Sequence, residues 1–138
     1  MKLAARGIML DDRHKPIEQV RILLIKEKNK WRIPGGKALP GETPSDVVWR
    51  EVFEETHLSV QPHELLAYSD VYQNHKMTSR EAFFISEVIG GELKNSKNVR
   101  WLPINSIPSF PKYCKWVLRR LRAKLRTEQV VVEPATAS

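Results

Sequence analysis

Apolar residues along the chain gather into short runs, separated by polar stretches that carry proline or glycine. LAARGIML (3–10) and VRILLIKE (20–27) are aliphatic and β-branched, and predict two strands. Between them DDRHKPIEQ is polar and contains Pro16, which predicts a loop. The first run begins like a short export signal, but Arg6 interrupts it and DDRHK follows, so it is read as a strand of the fold. LLAYSDVYQ (65–73) and EAFFISEVI (81–89) alternate or run apolar and predict two more strands. Gly90-Gly91 predicts a turn, VRWLPI (99–104) a shorter strand and SIPSFP (106–111) a loop.

Two stretches carry helical signals. Thr43 is a suitable N-cap, Pro44 takes the first helical position and Asp46 the third, a capping-box start with Asp in place of Glu or Gln. This helix is expected to end at Glu55 or Thr56. A second is expected from Lys112 to about Arg126, with Tyr113, Trp116, Val117, Leu121 and Leu125 along one side. The last dozen residues, ending EPATAS, predict a frayed tail, so the domain is expected over 1–126 with a tail at 127–138. Strands interspersed with two helices predict α/β or α+β layering, each helix on its own sheet face.

A chain of 138 residues suits one domain and can bury a core without disulfides. A hydrophobic share of 41% and a charged share of 28% are those of an ordinary soluble globule. Cys114 is the single cysteine, so no disulfide can form within the chain, and a reducing, cytoplasmic setting is the simplest expectation. No apolar run approaches the roughly 18 residues that span a bilayer. The net charge of +7 is local. Lys112, Lys115, Arg119, Arg120, Arg122, Lys124 and Arg126 account for the whole excess within one acid-free segment. Such a face attracts nucleotides, RNA or acidic headgroups, or is simply solvated.

Against this basic background, REVFEETHLSV (50–60) concentrates acid: Glu51, Glu54 and Glu55, with Glu42 just upstream. At the helical angular step the three fall within an arc of about 100°. Val48, Trp49, Val52 and Phe53 take the other sides and are expected to pack. Like charges so close repel. A divalent cation turns that repulsion into shared attraction, and Mg²⁺, with Mn²⁺ as a substitute, suits carboxylate, water and phosphate oxygens. Metal held there can neutralise a diphosphate and activate water. The upstream loop WRIPGGKALPGE (31–42) lets backbone approach metal or phosphate closely. Taken alone, REVFEE also reads as a solvated acidic helix face.

The joint pattern is more specific. Gly36, five residues, Glu42, seven residues, then Arg50-Glu51-Val52-Phe53-Glu54-Glu55-Thr56-His57-Leu58 resembles the Nudix hydrolase box, GX5EX7REUXEEXGU with U aliphatic. One position departs: His57 stands where the family has glycine, just past the helix, where a left-handed backbone is expected. The resemblance implies a Nudix-type α/β/α sandwich with a mixed β-sheet. It implies Glu51, Glu54 and Glu55 as metal-binding carboxylates, with Glu51 as ligand or water activator. It implies Glu42 in support or on a further ion, the Gly36 carbonyl in the metal shell, and Arg50 orienting the glutamates. The implied reaction is hydrolysis of a pyrophosphate bond in a nucleoside diphosphate linked to another group. Many family members carry a further glutamate shortly before a downstream tryptophan. Here KNSKNVRW brings none, leaving Glu81 or Glu92 to reach in.

Substrate choice lies outside the box. Tyr72, His75 and Lys76 could form a lid that stacks on a base and touches phosphate. A small nucleotide, either a nucleoside triphosphate or a dinucleoside polyphosphate, is the first expectation. An RNA 5′ end tracked by the basic helix 112–126, or a diphosphoinositol polyphosphate, is the alternative, and a non-catalytic nucleotide- or RNA-binding module is a third.

Overall fold

A computed structural model describes residues 1–132 of the protein. Seven strands and two helices follow in chain order: β1 Lys2–Met9, β2 Arg21–Glu27, β3 Lys30–Arg32, β4 Gly35–Lys37, α1 Pro44–Thr56, β5 Leu58–Gln73, β6 Lys76–Gly91, β7 Val99–Pro103 and α2 Lys115–Val132. Single 3₁₀ turns cover Ile17–Gln19 and Lys112–Cys114.

A four-stranded mixed sheet has the order β4-β1-β6-β5, and a three-stranded antiparallel sheet has the order β3-β2-β7. β1 and β6 are the parallel pair, and β4 and β5 lie antiparallel outside them. A bridge between Leu10 and Ile22 ties the two sheets. Alternation along the strands sends side chains to two cores. Ala5, Met9, Leu23, Val60 and Ala82 meet Val47, Val48 and Val52 of α1 on one side. Ile8, Ile22, Leu24, Trp31, Phe83 and Ile85 meet Val117, Leu118, Leu121 and Leu125 of α2 on the other. The layering is thus α/β/α with a mixed sheet, the sandwich that the resemblance implied.

Several boundaries differ from those expectations. β5 begins at Leu58, seven residues early, because its bulged register tolerates Pro62, with shifts between Pro62 and Glu64 and between Leu65 and Ala67. Gly90 and Gly91 do not turn the chain. They end β6, paired with Ser59 and Leu58. The 31–42 stretch is not wholly loop, since it holds the end of β3 and all of β4. Of the four α1 residues expected to pack, only Val48 and Val52 do; Trp49 and Phe53 are 58% and 48% exposed. The valines complete a stripe with Val47, and the arc left for the aromatics faces solvent. α2 runs on to Val132, past Arg126; residues 133–138 of the expected tail, and the side chain of Tyr113, lie outside the described residues. Trp116, Val117, Leu121 and Leu125 do face the core.

Candidate active site

α1 starts and stops as its sequence dictates. The Thr43 hydroxyl accepts from the Asp46 N–H at 3.2 Å, and the Asp46 carboxylate accepts from the Thr43 N–H at 3.0 Å. At the far end His57 is left-handed, with φ 66° and ψ 12°, and its N–H donates to the Phe53 carbonyl. His57 therefore takes the backbone shape expected of glycine, which histidine tolerates better than most residues. Thr56 seals this end, donating to the Val52 carbonyl at 2.7 Å and accepting from the Leu58 N–H at 3.1 Å.

The box loop lies against the glutamate face. β4 pairs Gly35 and Gly36 with Arg6 and Ala5 of β1, so the diglycine is pinned to the sheet edge. A Cβ on Gly36 would stand 2.8 Å from the Glu51 carboxyl carbon. Only a glycine lets backbone and carboxylate meet at that range. Gly35 has φ 150°, and a Cβ there would stand 2.3 Å from the Ala5 carbonyl oxygen. Its N–H donates to Glu55 Oε1 at 2.8 Å.

Arginines hold the carboxylates. Arg50 spreads its guanidinium over Glu42, with Nε to Oε2 and Nη2 to Oε1 both at 2.8 Å, and donates to Glu51 at 2.7 Å and to the Lys37 carbonyl at 3.1 Å. The Arg50 guanidinium, with the Leu39 N–H, holds the Glu42 carboxyl at about 2, far below its ordinary value. Glu55 takes Arg32 Nη2 as partner, and the same nitrogen reaches Glu27 at 3.2 Å. Burial opposes the Arg32 charge, and these two carboxylates outweigh it, so its pKa lies above the usual arginine value. Glu54 is the looser member, 58% exposed at its side chain and 3.6 Å from Arg50.

The three box glutamates thus share a helix face, but their carboxylates divide between two arginines, Glu51 and Glu54 toward Arg50 and Glu55 toward Arg32. Among the described residues, no three His, Cys, Asp or Glu side chains are already gathered as a metal-binding group. The donor set nonetheless fits a hard divalent ion. Glu51 and Glu55 are anionic oxygen donors against a backbone cradle that a Cβ would fill, and their present partners are themselves cations.

Other predicted residues fall elsewhere. Tyr72, 61% exposed, and His75 and Lys76 occupy the tip of the β5–β6 hairpin. His75 lies seven residues along the chain from Ala82, which pairs with Ala5 beside Gly36, so the tip stands about 23 Å along the strand from the box loop at ~3.3 Å per residue. Glu81 is nearer. It pairs with Arg6 at 3.0 Å, and Arg6 donates to the Ile33 carbonyl at 2.7 Å. Glu81, Arg6, Lys2, Lys37 and Arg80 line a cavity of about 250 Å³ that includes Gly36. Glu92 is exposed in the segment between β6 and β7.

Sequence reasoning missed Arg32, Arg6 and Arg80. The signal for Arg32 was its place directly before IPGG, while Arg6 and Arg80 reach the box only through strand pairing across most of the chain.

A family model described as the NUDIX domain matches residues 1–124. The chain belongs to the Nudix family. Among its Nudix relatives, the ADP-ribose pyrophosphatase of Methanocaldococcus jannaschii is 37% identical over 99 residues, which are 65% of this chain and 59% of that protein. The human 8-oxo-dGDP phosphatase NUDT18 is 33% identical over 105 residues, 67% of this chain and 31% of that protein. The chain thus spans well under two thirds of the length of these curated relatives. In structure, a Nudix hydrolase from Nitrosomonas europaea superposes with TM-score 0.70 at 19% identity, covering 99% of both chains, which shows the shared fold. Within that fold, no described helix is long and apolar enough to cross a membrane.

Proposed function

We propose that this Nudix protein is a pyrophosphohydrolase, cleaving a pyrophosphate bond in a nucleoside diphosphate linked to a further group. The substrate is a small nucleotide, a nucleoside triphosphate or dinucleoside polyphosphate, and Mg²⁺ is the resident ion, with Mn²⁺ able to substitute. The observation that carries this reading is the close seating of Glu51 against Gly36, with Glu55 held on the neighbouring Gly35 N–H. Glu51, Glu54, Glu55 and the Gly36 carbonyl would hold the metal, and Arg50 keeps Glu42 and Glu51 oriented beside it. When bound, a divalent ion neutralises diphosphate charge and lowers the pKa of a water.

The chain's own cations suit the anionic end of such a substrate. Lys2, Arg6, Lys37 and Arg80 face the cavity that contains Gly36, against the single carboxylate of Glu81. An adjoining cavity of about 200 Å³ shares Leu3, Ala4 and Arg80 and adds Tyr68, whose ring lies 4.0 Å from the Arg80 guanidinium. Asp70 fixes Arg80 through two 2.9 Å hydrogen bonds. That ring is a suitable platform for a base next to a phosphate site. Tyr72, His75 and Lys76 act only where the hairpin folds over the substrate. A reducing, cytoplasmic setting suits the buried Cys114 thiol.

The test is a panel of nucleoside triphosphates, oxidised guanine nucleotides, a diadenosine polyphosphate, ADP-ribose and triphosphorylated RNA, incubated with Mg²⁺ and read by released phosphate and pyrophosphate. Metal-dependent turnover is expected, falling by more than ~100-fold in Glu55→Gln, beyond the loss from removing a mere supporting hydrogen bond to a metal ligand. Turnover that survives this change would overturn the assignment.

One observation favours a second reading, an RNA 5′ end as substrate. Lys26, Lys28, Lys97 and Arg100 surround a hollow of about 410 Å³ beside Trp31, with no carboxylate in its lining. In that case triphosphorylated RNA is the best substrate of the panel, and its binding falls steeply with salt.

A further inference from the structure

Arg32 occupies an unusual position for a cation. It emerges from β3 directly before the box loop and lays Nη2 on Glu55, the carboxylate that also accepts from Gly35. Its side chain is 20% exposed. Nη1 is buried, without a hydrogen-bond partner among the described residues. A buried guanidinium nitrogen left unpaired is costly, and one beside a reactive cluster calls for a functional reason. The neighbouring Arg50 shows the contrast, since all three of its nitrogens donate.

We propose that Arg32 is the resting counter-ion of Glu55, displaced when a divalent ion takes that carboxylate, and that the released guanidinium then donates to a phosphate oxygen of the substrate. The proposal rests on the reading of Glu55 as a metal ligand. Three features support it. The Gly35 N–H already holds Glu55 Oε1 and Arg32 holds Oε2, so a metal ion binding Glu55 competes with Arg32, the like-charged partner, for that carboxylate. The guanidinium already has an unspent donor, and a phosphate group accepts two parallel N–H groups from such a fork, one on each of two oxygens. Finally, the alternative partner Glu27 is 59% exposed and 3.2 Å away, a contact too weak to keep Arg32 once Glu55 is taken. Arg32 is thus a positioning residue in the resting protein and a substrate-binding one in the loaded protein.

Binding of Mn²⁺ alone to the full chain, followed by the loss of the free-ion paramagnetic resonance signal, tests the first half. Arg32→Gln is expected to bind Mn²⁺ about tenfold more tightly, the scale of one charge-assisted hydrogen bond removed from a competitor. Arg32→Lys, which keeps a charge and the fold but loses the fork, falls between. In a Glu55→Gln background the Arg32→Gln gain disappears, a coupling that a merely structural role would not produce. Wild type and Arg32→Gln binding Mn²⁺ equally, with Glu55→Gln still defective, overturns the inference and leaves the metal site standing. Absence of Mn²⁺ binding in every variant overturns both. For the second half, imidodiphosphate is titrated at saturating Mn²⁺. Its affinity falls about tenfold in Arg32→Gln if the guanidinium meets phosphate, and unchanged affinity overturns that step.

Discussion

α1 and α2 cover opposite faces of the layer formed by the two sheets, and they use charge in opposite ways. On α1, each charged side chain near the loop has a fixed partner: Arg50 joins Glu42 and Glu51, and Glu55 joins Arg32 and Gly35. On α2 the excess of positive charge is mostly solvated. Lys115, Arg119, Arg120 and Arg126 are exposed, as is Lys112 in the 3₁₀ turn before the helix. Lys124 is tied to Glu64 at 2.6 Å, and Arg122 donates to the Ile104 carbonyl, so part of the basic run braces the fold. The helix with the larger charge is therefore not the one with the constrained chemistry. What distinguishes a site from a charged face is the backbone pressed against it.

Breaking that backbone is expected to have the largest effect on stability. Gly35→Ala places a methyl 2.3 Å from the Ala5 carbonyl oxygen at a φ that L side chains avoid. It is expected to cost about 3 kcal/mol, the scale of a forced clash at a special backbone position. Urea unfolding measures it, and a loss under 1 kcal/mol would mean that the loop is not fixed as described.

Glu42→Gln has a smaller effect, and one with a pH signature. The Glu42 carboxyl is held at about 2, so in the folded protein it stays ionised well below its ordinary range. A depressed carboxylate contributes stability above its unfolded pKa, and that contribution is lost as pH falls toward the folded value. The stability gap between wild type and Glu42→Gln is expected to be constant near neutrality and to close between about pH 4.5 and pH 2. A gap independent of pH across that window would place the Glu42–Arg50 pairing elsewhere.

The smallest effect is expected on α2. Arg119→Ala and Arg126→Ala are expected to change stability by less than ~0.5 kcal/mol, as exposed positions do. Turnover of a small nucleotide should be unchanged in both. A marked rise in KM for triphosphorylated RNA alone would bring α2 into the site and favour the RNA reading.

Much of this was legible in the chain because the signals are local. Thr43, Pro44 and Asp46 start α1, His57 ends it, and the box spacing names its glutamates without reference to any other segment. What the sequence left unread depends on long-range register. Arg6 comes beside Gly35 only through β1–β4 pairing, and Glu81 comes beside Arg6 only because β1 and β6 run parallel. The distance of Tyr72, His75 and Lys76 from the box has the same cause. Their polarity predicts a turn correctly, but how far that turn stands from the box is set by sixteen-residue strands whose full length bulges and Pro62 conceal. Trp49 and Phe53 mislead for another reason, since apolar side chains on an amphipathic helix are packed only within the arc that faces the sheet.

The most direct test of the central claim is an anomalous-scattering map from crystals of the protein soaked in Mn²⁺. An ordered ion bounded by the Glu51 and Glu55 carboxylates and the Gly36 carbonyl is expected, with Arg32 withdrawn from Glu55. An ion ordered elsewhere, with Glu55 still on Arg32 and metal-dependent turnover in solution, would contradict it.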